Sequence, residues 1–255
     1  MVYFIGAGPG DVDLITVKGR DLLKQADLVI YAGSLVSSKH MEFCKPGIEI
    51  HNSAGMTLDQ VIEMIQKHHK ENKVIVRLHT GDPAIYGAIQ EQMAELSKLN
   101  IPYEVIPGVS SFTAAASRIP AELTLPGVTQ TVILTRVEGR TPVPETEDLE
   151  RLASIGASMA IFLSIGMIDK VVAKLRKGYG RNVPIAVVER ATWEDERVLK
   201  GTLDDISEKV KEAGITKCAQ ILVGDFLDSP YDKSLLYDPG FTHMFRQGKD
   251  ENDPN

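Results

Sequence analysis

The sequence GAGPGD, residues 6–11, follows the short apolar run Val2–Ile5 and precedes a second apolar stretch that begins at Leu14. Closely spaced glycines directly after an apolar run are typical of a β-strand that turns into a helix in an α/β fold. Dinucleotide-binding domains open with the same pattern. The loop therefore raises the question of whether it binds a pyrophosphate.

The details of this loop argue against a dinucleotide. The dinucleotide fingerprint is G-x-G-x-x-G, with an acidic residue about 20 positions further on for the ribose. Pro9 removes a backbone N–H, and Asp11 and Asp13 place negative charge where a phosphate would lie at a helix start. The next apolar run ends in Tyr31–Gly33 without a carboxylate. A plain strand-to-helix turn stays open, but as a binding loop it suits a ligand that is cationic or lacks phosphate.

The composition predicts a soluble globular protein. The chain has 255 residues, of which 43% are hydrophobic and 25% charged. The formal net charge of −7 disfavours a nucleic-acid partner, because phosphate contacts need clustered Lys and Arg. Cys44 and Cys218 are isolated, which favours reduced thiols over a disulfide or a zinc site. With neither a signal-peptide pattern nor about 18 consecutive apolar residues, we expect a cytoplasmic protein without a membrane partner.

In the first half, β-branched runs alternate with helical patterns, which predicts βαβ units and a largely parallel sheet. The predicted strands are Val2–Ile5, Leu28–Tyr31, Ile48–His51, Val74–Leu78 and Tyr103–Ile106. Thr57 and Gln60 have capping-box spacing at the start of an amphipathic helix. A second helix is predicted over Ala84–Leu99, next to Pro83.

Prolines and a glycine between residues 118 and 129 predict a linker between two domains, 1–117 and 130–228. The second domain is predicted to contain strands at Gln130–Thr135, Met159–Leu163, Pro184–Val188, Glu196–Leu203 and Gln220–Val223, with helices near Thr146–Ser154 and Met167–Lys177. Consecutive strands late in this block favour a mixed sheet. The predicted fold is therefore two α/β domains, the first largely parallel and the second mixed. The tail, 229–255, loses periodicity, and we expect disorder over 247–255.

Two further loops follow predicted strands. LHTGDPAIYGA, residues 78–88, places Thr80, Gly81 and Asp82 beyond a strand end, the usual ligand position in open α/β sheets. EVIPGVSSFTAAA, residues 104–116, does the same with Ser110 and Ser111. Each loop alone could be a simple turn. Together with residues 6–11, they are predicted to converge on one crevice.

These segments carry a family resemblance that covers nearly the whole chain. The sequence resembles the tetrapyrrole methylases, two-domain enzymes that use S-adenosylmethionine. The matching motifs are VYFIGAGPGDVDLITVKG, GDPAIYGA, VIPGVSSFTAAA, IFLSI, PIAVVERATWEDERVLKGTL and ILVGD. The segments NSAGMTLDQ, GDPAIYGAIQEQ, LTLPGVTQTVILTRVEGRTPVPE and YDPGFTHMFR resemble the branch that acts at carbon 11 of precorrin-4.

The resemblance implies a set of cofactor-binding residues. In the first loop it implies Pro9, against the methionine end of the cofactor. The other implied residues are Thr80, Gly81, Asp82 and Ile85 in the second loop, Ser110 and Ser111 after the fifth strand, and Leu163, Ser164, Ala191 and Thr192 over the adenosine. Asp82 is also the one candidate for a catalytic residue, either as a cap on the predicted helix at Ala84 or as a carboxylate near the sulfonium.

The implied reaction moves a methyl group from S-adenosylmethionine to carbon 11 of precorrin-4 or its cobalt complex and leaves S-adenosylhomocysteine. Such a displacement asks mainly for alignment and water exclusion. An acidic chain can hold a polycarboxylate tetrapyrrole only through local cations, for which Arg136 and Arg140 are the main candidates. The resemblance also implies a homodimer.

Other interpretations remain open at this point. One is a related methyltransferase with another acceptor, such as a modified protein residue or ribosomal RNA. Others are a nicotinamide-dependent oxidoreductase and a non-catalytic domain that binds the cofactor as a signal. We expect His68 and His69 to be a solvated helix end and no metal site to be present, while His79 is either structural or part of the crevice.

Overall fold

The computed structural model describes residues 1–248, which form two compact units. The first unit contains Met1–Arg118 together with Val188–Arg197, and the second contains Ile119–Val187 together with the residues after Arg197. The segment Val188–Arg197, called the excursion below, follows residues of the second unit in the chain but belongs to the first unit. The domain boundaries predicted from the sequence do not include such a segment. Of the stretch with expected disorder, 249–255 lies outside the described residues.

The first unit is built on a parallel five-stranded sheet with the order β3-β2-β4-β1-β5. Its strands are β1 Val2–Gly6, β2 Leu28–Tyr31, β3 Glu49–Asn52, β4 Ile75–His79 and β5 Tyr103–Ile106. Its helices are α1 Val17–Gln25, α2 Leu58–Lys70, α3 Gln90–Lys98 and α4 Ser111–Arg118. All carboxyl ends of the parallel strands lie at one edge, where ligands bind in open α/β sheets.

The central strands β1, β2 and β4 are buried on both faces, which explains why they read as nearly continuous apolar runs. Phe4 and Ile30 pack with Ile65 of α2 on one face, while Ile5 and Leu78 belong to a separate cluster with α1 on the other. Successive side chains of β1 thus alternate between two cores.

The predicted helix over Ala84–Leu99 is wrong in its first half, because α3 begins only at Gln90. The preceding residues form a tight loop in which Tyr86 and Ala88 have φ angles of 54° and 49°. A Cβ atom at Gly87 would lie 2.1 Å from the carbonyl oxygen of Pro83. The chain therefore folds back on itself here, and helical backbone cannot start until this turn is complete.

Helix α2 begins with the predicted capping box, but its last turn is not solvated as expected. Thr57 Oγ1 accepts from Gln60 N at 3.3 Å, and Gln60 Oε1 accepts from Thr57 N at 2.9 Å, which confirms the capping box. The expectation of a solvated end is wrong for His68, which is 2% exposed. Its ring nitrogens contact Met64 O and Glu49 Oε2, both at 2.8 Å, because the last turn of α2 packs against β3.

The second unit contains a five-stranded sheet with the order β6-β7-β10-β8-β9. Its strands are β6 Val132–Arg136, β7 Ser158–Phe162, β8 Pro184–Glu189, β9 Arg197–Thr202 and β10 Ala219–Val223. Its helices are α5 Leu149–Ala153, α6 Ile168–Tyr179 and α7 Ile206–Glu212. Strand β7 pairs in parallel with β6 and antiparallel with β10, so the predicted mixed sheet and fold class are confirmed. Helix α7 was not predicted.

Across residues 1–248, no helix is both long enough and apolar enough to cross a membrane.

Candidate functional site

Three glycines bring together the loops that follow β1, β4 and β5. A Cβ atom at Gly6 would lie 2.5 Å from Gly81 O and 2.6 Å from Gly108 Cα, and one at Gly108 would lie 2.1 Å from Gly81 O. These neighbours are backbone atoms that cannot move aside, so only glycine fits at Gly6 and Gly108. This packing shows that the three loops meet, as predicted, while their forming one ligand-binding crevice stays a prediction.

Backbone hydrogen bonds lock the first loop to the second. Gly81 N donates to Gly8 O at 2.8 Å and Gly8 N donates to Gly81 O at 3.3 Å. Both residues have positive φ angles, 81° for Gly8 and 62° for Gly81. This pair fixes the path of the GAGPGD loop relative to Thr80 and Asp82.

Asp82 ties the second loop to the third. Its Oδ1 accepts from Ala84 N at 2.8 Å, and its Oδ2 accepts from Gly108 N at 3.0 Å. Because no helix begins at Ala84, the role of a helix cap is wrong, and the carboxylate instead bridges two loops. The contact of Asp82 with a cofactor stays a prediction.

The excursion Val188–Arg197 covers the first loop. Thr192 Oγ1 accepts from Asp11 N at 3.0 Å, and Trp193 Nε1 donates to Pro9 O at 2.9 Å. Ala191, next to them, is buried. The structure thereby brings Pro9 and Thr192, which the resemblance implied separately, to the same place. Trp193 is not among the residues predicted from the sequence, although it is the only tryptophan in the chain.

The backbone of this excursion is strained. Arg190 and Thr192 have φ angles of 48° and 72°, a region that a β-branched residue rarely adopts. Glu196 holds the conformation, since its Oε2 accepts from Thr192 N at 2.6 Å and its Oε1 accepts from Arg118 Nε at 2.8 Å. The Arg190 guanidinium lies 4.2 Å from the Trp193 ring centroid. Strain of this kind is concentrated at functional sites.

Buried polar atoms without partners lie at the end of β4. His79 is 3% exposed, and neither its Nε2 nor Thr80 Oγ1 has a hydrogen-bond partner within residues 1–248. Burial, together with the charge of Arg77, lowers the pKa of His79 to about 3, so the ring is neutral. Buried groups of this type usually meet a ligand or water. Ser110, 7% exposed, precedes α4 in the adjacent loop.

Arg77 supports the same strand end from inside the first unit. Its Nη1 donates to Ile30 O at 2.7 Å, and its Nε donates to Gln92 Oε1 at 2.9 Å. Burial lowers the pKa of Arg77 to about 10, which leaves the guanidinium charged at neutral pH. This fixed positive charge adds to the effect of burial, which is the main reason why the pKa of His79 is low.

Ile85 and Ser111 also lie in the first unit, where Ile85 N donates to Asp82 O at 3.2 Å and Ser111 is the first residue of α4. Four other predicted site residues belong to the second unit. Leu163 has a φ of 53° and is 69% exposed. Ser164 is fully buried, with its Oγ donating to Phe162 O at 2.6 Å and accepting from Val137 N at 2.9 Å. Arg136 donates to Thr141 O and Pro142 O, whereas the exposed Arg140 has no ion-pair or hydrogen-bond partner for its side chain in the described chain.

A cleft of about 590 Å³ lies elsewhere in the first unit, along β3 and α2. Glu49, which lines it, accepts hydrogen bonds from His51 Nε2 at 2.6 Å and from His68 Nε2 at 2.8 Å, and these bonds lower the pKa of its carboxyl group. None of the predicted site residues lines this cleft. Within residues 1–248, no group of three or more His, Cys, Asp or Glu is arranged to hold a metal ion.

The family model described as Tetrapyrrole (Corrin/Porphyrin) Methylases matches residues 1–207. The chain belongs to the tetrapyrrole methylase family. This membership confirms the resemblance seen in the sequence and identifies the protein as a methyltransferase, so the oxidoreductase alternative is wrong.

Relatives of this family member extend over nearly its whole length. A cobalt-precorrin-4 C(11)-methyltransferase of Methanocaldococcus jannaschii is 54% identical, with 96% of each chain covered. The X-ray structure of a cobalt precorrin-4 methyltransferase has a TM-score of 0.87 at 49% identity and covers 89% of this chain and 96% of that one. Uroporphyrin-III C-methyl transferase from Thermus thermophilus, solved in complex with S-adenyl homocysteine, has a TM-score of 0.73 at 26% identity and covers 89% and 93%.

Proposed function

We propose that this methylase transfers a methyl group from S-adenosylmethionine to carbon 11 of cobalt-precorrin-4 or precorrin-4 in cobalamin biosynthesis. The observation that carries the proposal is the 54% identity, over 96% of both chains, to a cobalt-precorrin-4 C(11)-methyltransferase. The homologue solved with S-adenyl homocysteine supports the choice of cofactor.

The first unit fits this cofactor. Gly6, Gly81 and Gly108 place backbone without side chains where the three loops meet. Among residues 1–248, Thr80 Oγ1 and His79 Nε2 have no hydrogen-bond partner, so each can bond to a polar ligand. Asp11 and Asp13 suit a sulfonium cation better than a phosphate. The residues we propose to bind it are Pro9, Thr80, Gly81, Asp82, Ile85, Ser110, Ser111, Ala191 and Thr192. Leu163 and Ser164 are proposed from the resemblance, and the buried Ser164 hydroxyl is already paired, so its backbone is the group available.

When bound, the cofactor supplies a methyl group whose carbon–sulfur bond breaks as the ring carbon forms a new carbon–carbon bond. The chain's part is to align the reactants and to exclude water, which can supply most of the acceleration of such a reaction. The loop bridge made by Asp82 and the glycine packing hold the binding loops rigid. Because the His79 ring is neutral, its Nε2 offers a polar contact to the cofactor without a positive charge that would repel the sulfonium.

The macrocycle is a polycarboxylate, and we propose that Arg136 and Arg140 contact its carboxylates. A guanidinium matches a carboxylate in a bidentate geometry. Within residues 1–248 the Arg140 side chain has no hydrogen-bond or ion-pair partner, while Arg136 also donates to Thr141 O and Pro142 O of its own loop. We further propose a cytoplasmic homodimer without nucleic-acid or membrane partners, on the basis of the family resemblance and, for nucleic acid, the acidic composition.

The test is to incubate the protein with cobalt-precorrin-4 or precorrin-4 and S-adenosylmethionine carrying a ¹³C-labelled methyl group. We expect a product one methyl group heavier, with the label on carbon 11 by NMR and with one substrate form preferred. Label on another carbon would indicate another position specificity. Binding of the cofactor without transfer to either macrocycle would contradict the proposal and favour another acceptor or a non-catalytic role.

A further inference from the structure

The backbone N–H of Gly10 is an unused donor in the proposed cofactor loop. Gly10 is buried, yet its N–H has no acceptor among the residues that the structure describes. More than about nine in ten buried backbone N–H groups in proteins are paired. Thr80 Oγ1 and His79 Nε2, on the loop that Gly81 joins to Gly8 by backbone hydrogen bonds, also lack partners among residues 1–248. The unpaired Gly10 N–H therefore indicates a group that is kept for a ligand.

The direction of this N–H is set by Trp193. The indole Nε1 donates to Pro9 O at 2.9 Å, so the carbonyl of the Pro9–Gly10 peptide points at the indole. In a planar trans peptide the N–H points away from the carbonyl oxygen. Holding Pro9 O on one side therefore turns the Gly10 N–H to the opposite side of the loop.

The indole also packs directly on Gly10. A Cβ atom at this position would lie 2.2 Å from Trp193 Cδ1 and 2.3 Å from Nε1. The next N–H, that of Asp11, is taken by Thr192 Oγ1 at 3.0 Å. The excursion thus pairs Pro9 O and Asp11 N, and among the described residues the Gly10 N–H between them has no acceptor.

We infer that Trp193 is a positioning residue that fixes the Pro9–Gly10 peptide so that the Gly10 N–H donates to an acceptor atom of the cofactor. The inference rests on the proposed function. Glu196 keeps Thr192 in its strained conformation, and Trp193 follows Thr192 directly, so the indole has a defined place. A pre-organised loop binds more tightly because less freedom is lost on binding.

The first test compares two variants that each lose one hydrogen bond from an aromatic side chain to a backbone carbonyl. Trp193→Phe loses the bond to Pro9, and Tyr179→Phe loses the bond from Tyr179 to Ala157 O at 3.0 Å in the second unit. We expect the Kd of S-adenosylhomocysteine to rise about five- to tenfold in Trp193→Phe and to stay unchanged in Tyr179→Phe. The KM for S-adenosylmethionine should rise by the same factor while kcat changes little.

The second test uses the steric clash between a Cβ atom at position 10 and the Trp193 indole. We expect Gly10→Ala to weaken S-adenosylhomocysteine binding strongly in the wild-type background and to add little in a Trp193→Ala background, because the Cβ then has room. Gly55→Ala, where no atom lies within 4 Å of the added Cβ, is the matched control. Strict additivity of the Gly10 and Trp193 effects would overturn the inference.

Since Trp193 is the only tryptophan, its emission reports on this loop alone. We expect S-adenosylhomocysteine to change the emission of the wild-type protein with the same Kd as calorimetry gives. If the wild type binds the ligand and Trp193→Phe binds it equally well, the inference is wrong and the proposed function stands. If the wild type does not bind it, both are wrong.

Discussion

Asp82 is the residue on which the geometry of the proposed cofactor loops depends most directly. Each of its oxygens accepts one backbone N–H, from Ala84 and from Gly108. A carboxylate offers about four acceptor positions, so these bonds leave lone pairs that can face a ligand. A structural role and an electrostatic one can therefore be separated by experiment.

Asp82→Asn should reduce both stability and ligand discrimination. An amide has only one acceptor oxygen, so one N–H loses its partner, and we expect the free energy of unfolding to fall by about 1–3 kcal/mol. If the carboxylate also stabilises the sulfonium, S-adenosylmethionine will lose more affinity than neutral S-adenosylhomocysteine. Thermal melts and calorimetry with both ligands measure the two effects. Equal affinity losses would mean that Asp82 acts only as the loop bridge.

Arg140→Ala should weaken binding of the macrocycle and leave cofactor binding unchanged. We expect the KM for the tetrapyrrole to rise by the equivalent of about 1–3 kcal/mol, since the lost contact is charge-assisted. Arg151→Ala, which removes another exposed arginine on α5, is the matched control and should leave the KM unchanged. Unaltered kinetics in Arg140→Ala would remove this residue from the proposed site.

His79 should make the protein sensitive to acid. Its pKa of about 3 lies below the usual value near 6.5, so the unfolded chain binds the proton more readily. The stability that neutral His79 provides is complete above about pH 6.5 and is lost as the pH falls toward 3. At pH 5 the loss should approach about 2 kcal/mol, and His79→Gln should remove it. The check is the difference in Tm between pH 7.5 and 5, and an equal difference in both proteins would contradict this account.

At the scale of secondary structure, the loop between β4 and α3 connects the proposed cofactor-binding residues Thr80–Asp82 to helix α3. Its shape depends on Gly87, whose hydrogen lies where any Cβ would meet the Pro83 carbonyl oxygen at 2.1 Å. Its neighbour Ala88 has a φ of 49° and carries a Cβ that this region disfavours.

Substitutions at these adjacent positions should therefore act in opposite directions. Gly87→Ala should lower the free energy of unfolding by more than about 2 kcal/mol and impair S-adenosylhomocysteine binding, because backbone must move. Ala88→Gly should be neutral or stabilising by up to about 1 kcal/mol, since it relieves strain. Denaturant melts of both variants measure this. A helical start at Ala84 would instead make Gly87→Ala stabilising.

The strands and helices that were predicted correctly are marked by residues next to them in the sequence. Strands β2 and β5 match their predicted bounds because turn residues border their apolar runs, and α2 was recognisable from its capping box. The positive φ angles of Tyr86 and Thr192 have no such signal, because neither is a glycine. The bond from Trp193 to Pro9 spans 184 residues and leaves no local pattern. Tertiary packing alone determines these features, and they shape the proposed site.

For the whole molecule, ligand-induced stabilisation distinguishes the proposed cofactor from a dinucleotide. S-adenosylhomocysteine should raise the Tm, and the rise should grow with ligand concentration, as for any ligand that binds only the folded state. NADH and NADPH should leave the Tm unchanged, since Asp11 and Asp13 disfavour phosphate at the first loop. Calorimetry provides the affinities. Comparable stabilisation by a dinucleotide would contradict the interpretation of the GAGPGD loop.

The excursion Val188–Arg197 also has a consequence for the order in which the protein is made. During synthesis the five strands of the first sheet are complete at Ile106, but Thr192 and Trp193 follow only after β6, β7 and β8. Domains generally fold in order as the chain emerges from the ribosome, so the first sheet can form while its glycine loop is still uncovered. A nascent chain, or a gene fragment that encodes only residues 1–118, would therefore present the strand ends without the segment that orients Gly10.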